Sequence, residues 1–111
     1  MPVRYQVVYW RGIPAQIRLR EGKSRASRAL SPRFQEAIDQ AAMRAGMAGT
    51  DAYLGEWRTS EWQAGQSPLD ATADALLAEL EQQFTGDRLR LLVMNRGLEP
   101  ESSTGPVARS A

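Results

Sequence analysis

The sequence predicts an α+β domain of two layers, with two helices on one face of a small antiparallel or mixed β-sheet. Three observations carry this. Apolar and aromatic residues alternate with period two near the N-terminus, two Ser-Pro steps each precede an apolar stripe at helical spacing, and 111 residues allow one core but not two. The expected order is β-β-α-β-α over residues 1–96, followed by a disordered tail over 97–111.

The elements follow in chain order. Val3, Tyr5, Val7 and Tyr9 alternate with Arg4, Gln6, Val8 and Trp10, which reads as a strand with both faces partly apolar. Arg11-Gly12-Ile13-Pro14 turns the chain, because Gly12 tolerates positive φ and Pro14 has no N–H for a ladder. Ala15, Ile17 and Leu19 alternate with Gln16, Arg18 and Arg20, giving a second strand from Ala15 to about Glu21 and an antiparallel hairpin. Gly22 to Leu30 has few large apolar side chains and reads as a basic connector. Ser31-Pro32 supplies an N-cap and a proline at the first helical position, ahead of Phe34, Ile38, Ala41, Ala42 and Ala45 on one face. Gly46 ends that helix.

Thr50 to Trp62 is rich in aromatic and β-forming residues and predicts a third strand; Gly55 argues against a helix over Asp51 to Trp57. Ser67-Pro68-Leu69-Asp70 resembles a capping box, and Leu69, Ala73, Leu76, Leu77, Leu80 and Phe84 form one stripe that Gly86 closes. Full burial of Leu77 against the sheet is expected. Asp87 to Arg96 is too short for periodicity alone, but Leu89, Leu92 and Val93 fit a helical stripe started by Asp87. Beyond Gly97 the chain is rich in Pro, Ser, Gly and Thr, with little to bury.

Composition narrows the chemistry. The chain has neither cysteine nor histidine. Thiol nucleophiles, disulfides, the usual zinc and iron–sulfur ligand sets and an imidazole base are thereby excluded. The glycines form neither a phosphate loop nor a dinucleotide fingerprint. Asp51, Glu56 and Glu61 lack the spacing of a calcium loop and read as a solvated face. No catalytic residue, metal site or cofactor is expected. Met1 to Trp10 is interrupted by Arg4 and Gln6 and does not form a signal-peptide apolar region, and no run approaches a membrane span. A cytoplasmic protein without membrane contact is the expectation.

Charge is segregated along the chain. Residues 1–35 carry a net +7 and residues 36–87 a net −8, within a formal total of +1. Either the halves neutralise each other on folding, or a basic face awaits an anionic partner. Arg18, Arg20, Lys23, Arg25 and Arg28, continuing to Arg33, form a cluster large enough to track phosphates, so weak non-specific nucleic-acid binding is one expectation. Arg11 beside Trp10, and Arg58 beside Trp57, offer a planar fork next to a π face. The competing reading makes Trp10 and Trp57 core aromatics, with the arginines paired to Asp51, Glu56 or Asp39. Tyr53, Asp51 and Arg11 lining a small-molecule pocket is a third possibility.

Several separated runs also carry a resemblance. Tyr9–Gln16 (YWRGIPAQ), Arg33–Asp39 (RFQEAID), Ala42–Gly46 (AMRAG) and Thr50–Leu54 (TDAYL), ahead of Trp57-Arg58, resemble the small bacterial virulence factor domain family over roughly residues 3–95. That module also occurs in the longer conserved virulence factor C proteins, beside a domain similar to the NifU/Nfu N-terminus and HEAT-like repeats. Stand-alone members occur beside folate-dependent and corrinoid methyl-transfer proteins. The resemblance brings no catalytic residues and implies little about mechanism. The missing catalytic groups and the company the module keeps in larger relatives together point to a non-enzymatic accessory or interaction role with an unidentified protein partner, and the neighbouring methyl-transfer proteins hint at one-carbon metabolism. The expected contact surface is the hairpin tip of Trp10, Arg11, Gly12 and Pro14 with Arg33, Asp51, Tyr53 and Trp57.

Overall fold

The first two strands, β1 (Val3–Trp10) and β2 (Ile13–Glu21), pair antiparallel with Val3 opposite Glu21, Tyr5 opposite Leu19 and Val7 opposite Ile17. This computed structural model describes residues 2–66 and 68–99. The connection is tighter than the sequence predicts: only Arg11 and Gly12 turn, with Arg11 at φ +52, and β2 already begins at Ile13. Pro14 is accommodated because the register slips between Val8 and Tyr9, so that Tyr9 faces Pro14 and Ala15 is the extra residue. A bulge is where a strand tolerates a residue with no N–H to donate.

The segment expected to be a basic connector is a strand, β3 (Ser24–Ala29), paired with β2 from Glu21–Ser24 to Gln16–Ala29. Gly22, at φ +60, makes the turn between them. As an edge strand β3 is held by backbone bonds to β2 and needs no apolar stripe, which is why the pattern missed it.

Helix α1 (Pro32–Arg44) starts at the expected step, with Ser31 at the N-cap position and Gly46 in the left-handed region just past its end. The strand expected over Thr50 to Trp62 is instead a short helix, α2 (Asp51–Gly55), then β4 (Trp57–Thr59) and β5 (Gln63–Ala64). Thr50 caps α2 by accepting from the Tyr53 amide, and Gly55, in the helix's last position, costs little there. Both strands pair antiparallel with β1, Trp57 opposite Trp10 and Ala64 opposite Arg4. The sheet order is β3-β2-β1-β4, with β5 also on β1, antiparallel throughout.

Helix α3 (Leu69–Gln83) occupies the expected stripe, and Ser67 of the expected capping box lies outside the described residues. The Glu21 carboxylate accepts from the Leu69 amide at 3.3 Å, so the end of β2 caps α3. Gly86 opens a fourth helix, α4 (Gly86–Met94), rather than closing α3; Thr85 caps it by accepting from the Arg88 amide. Leu89, Leu92 and Val93 are buried on α4, as the helical stripe over Asp87 to Arg96 led one to expect; with α2, the described residues hold four helices where the β-β-α-β-α order has two, within the α+β class.

The core lies between the sheet and α1, α3 and α4. Val7, Ile17 and Leu19 from one sheet face meet Phe34, Ile38, Leu80, Phe84, Leu89 and Leu92. Each fully buried large apolar side chain contributes about 1.5–3 kcal/mol. Leu77 is only half-buried, whereas Leu80 is buried. Gly97, expected in the tail, is buried: its carbonyl accepts from the Gly12 amide at 2.7 Å, and a Cβ there would come within 2.8 Å of the Trp10 ring. The packed unit thus continues past residue 96, and the remainder of the expected tail from Pro100 lies outside the described residues. Among the described residues no helix is long and apolar enough to cross a membrane.

Candidate functional site

The hairpin tip is built inward. Trp10 has no solvent exposure, stacks on Tyr53 with ring centroids 5.6 Å apart, and donates its indole N–H to the Tyr53 carbonyl at 2.9 Å. The Arg11 guanidinium donates to Glu56 Oε1 at 3.0 Å and to the Arg96 carbonyl at 2.9 Å, leaving its side chain 10% exposed. Pro14 is buried and the Gly12 amide is already bonded to Gly97. Tyr53 meets Trp57 edge to face at 6.0 Å. These residues form one aromatic and ionic knot, in which Trp10 is core and Arg11 pairs with Glu56.

The other members of that expected surface lie apart. Arg33 sits at the start of α1 and bonds Glu81, with Nη2 3.0 Å from Oε1 and 2.8 Å from the Glu81 carbonyl. Asp51 is exposed in the first turn of α2. Arg11 lines a concavity of about 350 Å³ with Tyr9, Arg58, Phe84 and Arg88, whereas Tyr53 lines a different one of about 180 Å³ with Asp39, Ala42 and Met43. Burial raises the Tyr9 phenol above its ordinary pKa, with Arg88 acting against that.

The second expected cluster does converge, with a changed membership. Alternation along each strand puts Arg4 of β1, Arg18 and Arg20 of β2 and Arg25 of β3 on the sheet face opposite the core. Register then aligns them: Arg4 faces Arg20, and Arg20 faces Arg25, three guanidinium-bearing residues in one row across three strands. Arg18, two positions along β2, is also on this face, and Lys23 is exposed at the β2–β3 turn. Arg28 leaves the cluster. It lies opposite Ile17, on the core side, and reaches Asp70 of α3 at 2.8 Å.

Trp62, between β4 and β5, completes the face. The Arg20 guanidinium carbon lies 4.5 Å from its ring centroid, and Arg18, Arg20, Arg25, Ser27 and Trp62 line a concavity of about 200 Å³. Among the described residues Arg4, Arg18, Lys23 and Arg25 have no ion pair. Like charges directly opposite on neighbouring strands destabilise a sheet, so the row carries an electrostatic cost. Chemically the face can bind phosphate or carboxylate oxygens and stack a planar group. Sequence reasoning missed Arg4 and Trp62. Arg4 is 16 residues from Arg20, and only strand pairing brings the two together; Trp62 closes the segment expected as one strand, and only the break between β4 and β5 and their pairing with β1 place it beside Arg20.

Among the described residues no group of three carboxylates converges to hold a metal ion. A family model described as virulence factor matches residues 8–93. Comparison with curated proteins and with solved structures finds no match.

Proposed function

The chain belongs to the virulence factor family, and on that premise we propose that it is a non-catalytic binding module that holds nucleic-acid phosphates on the open face of its sheet. One observation carries the reading: Arg4, Arg20 and Arg25 stand in a single cross-strand row, with Arg18 beside them, and lack acidic partners among the described residues. Several cations on neighbouring strands of one sheet face suit a polyanion with repeating phosphates. A protein partner docking at the hairpin tip has weaker support, since Trp10 and Pro14 are withdrawn from solvent and Arg11 is already bonded to Glu56 and Arg96. We set the module in a bacterial cytoplasm as an accessory protein. A role in one-carbon metabolism would then depend on what it accompanies, not on a folate or corrinoid site of its own.

The test is anisotropy of labelled oligonucleotides against the full chain across a salt series. Three or four neutralised phosphates give a log–log slope between about −2 and −4, and each of Arg18→Ala and Arg25→Ala should flatten it by about 0.7–0.9. No change in anisotropy with tens of micromolar protein at low salt, roughly where non-specific binders still register, would remove the proposal.

A further inference from the structure

Of the three tryptophans, two are absorbed by the fold: Trp10 is core, and Trp57 packs against the core and pairs opposite Trp10. Trp62 is not part of that cluster. It is half-buried on the opposite sheet face, where its indole lies against the Arg20 guanidinium at 4.5 Å. A large aromatic ring outside the core cluster, with a guanidinium over it, offers a surface for stacking. Beside it the concavity of about 200 Å³ is walled by Arg18, Arg25 and Ser27.

From this juxtaposition we infer that the face selects single-stranded nucleic acid, lodging one unpaired base beside the Arg20–Trp62 stack while Arg4, Arg18 and Arg25 hold flanking phosphates. The inference rests on the phosphate-binding reading above and adds the form of nucleic acid. Unpaired bases are held by stacking on aromatic rings and on guanidinium planes, and stacking tolerates any sequence because every base has a π face. A duplex keeps its bases inside the helix and must unstack one to fill the concavity, so it gains the phosphate contacts alone. The form of the cluster agrees: a planar cation on a planar ring is suited to a flat aromatic guest, whereas a site for phosphate alone needs no indole.

Anisotropy titrations of the full chain with labelled oligo(dT), a DNA duplex of equal length and labelled heparin, a polyanion without bases, test this. The wild type should bind oligo(dT) more tightly than the duplex. Trp62→Ala should weaken oligo(dT) binding about 5- to 150-fold, the fold-change equivalent of removing one base–aromatic stack. It should leave heparin and duplex binding unchanged. Trp62→Phe should retain most of the single-strand preference, and an unaltered thermal midpoint for both variants shows the fold intact. Arg25→Ala should weaken all three ligands. Equal wild-type affinity for single strand and duplex, or equal loss of all three ligands in Trp62→Ala, overturns the inference while the phosphate reading stands. Binding of heparin alone, or of none of the three at low salt, overturns both.

Discussion

At the scale of single residues, Arg11 shows how a side chain that looks available in sequence is consumed by folding. It takes a left-handed backbone conformation at φ +52 to close the first hairpin, and its guanidinium ties β1 to Glu56 and to the Arg96 carbonyl just past α4. Removing it leaves Glu56, which is 31% exposed, short of its partner, together with an Arg96 carbonyl that water can reach. Because water reaches Glu56, the loss is below that of a fully buried pair. Arg11→Ala should cost about 1–3 kcal/mol. Arg11→Gly should recover part of this by relieving the positive φ, by up to about 1 kcal/mol. Urea denaturation of both variants checks the order, and an unchanged midpoint in Arg11→Ala would mean that the tip is not a structural tie.

Among elements, the joints are ionic as well as apolar. Helix α1 begins with Ser31 at its N-cap position, but the Ser31 side chain makes no capping bond to its own helix. Its amide and hydroxyl donate instead to the Glu81 carboxylate of α3, at 2.8 and 2.9 Å. Burial by itself would raise the Glu81 carboxyl, but the Ser31 amide and hydroxyl together with Arg33 prevail and hold it below the ordinary value. A carboxyl depressed in the folded state stabilises fully above its unfolded value of about 4.3, and that contribution is lost as pH falls through the folded value. The difference in thermal midpoint between wild type and Glu81→Gln should therefore be full near about pH 6–7 and shrink below about pH 4. A pH-independent difference would mean that charge plays no part in the joint. Packing of α3 gives a second contrast: buried Leu80→Ala should cost about 2–5 kcal/mol, and half-buried Leu77→Ala clearly less, measured by denaturant midpoints.

For the whole molecule, the segregated charge is partly neutralised inside the fold and partly left on one face of the sheet. Arg11, Arg28 and Arg33 of the basic segment pair with Glu56, Asp70 and Glu81 of the acidic one, so part of the +7 is neutralised inside the fold. Arg4, Arg18, Lys23 and Arg25 have no such pairs among the described residues. What remains is a strip of one sign on the sheet face away from the helices. Relieving its self-repulsion has a measurable consequence: Arg25→Thr, a β-forming replacement opposite Arg20, should raise stability by about 0.2–1 kcal/mol at low salt, and the gain should fade as salt is added. Destabilisation by Arg25→Thr at every salt concentration would show that Arg25 serves the fold.

The sequence by itself determined the α+β class, the first hairpin, the start of α1 and the body of α3, because period-two alternation, a Ser-Pro step and an apolar stripe are each encoded by residues close together in the chain. The family was legible for the same reason, in short runs that need no folding to be recognised. Only the tertiary structure decided β3, whose Ser24–Ala29 backbone is held by pairing with β2 and carries no stripe of its own. It alone decided that Thr50 and Gly55 bracket a helix, that Glu21 and Glu81 serve helices far from them in sequence, and that the Trp10–Arg11 pair is spent inside the molecule. The candidate site divides in the same way. A basic segment was visible in composition, but which arginines share a face follows from strand register, a long-range property that placed Arg4 opposite Arg20, turned Arg28 to the other side and brought Trp62 onto the open face.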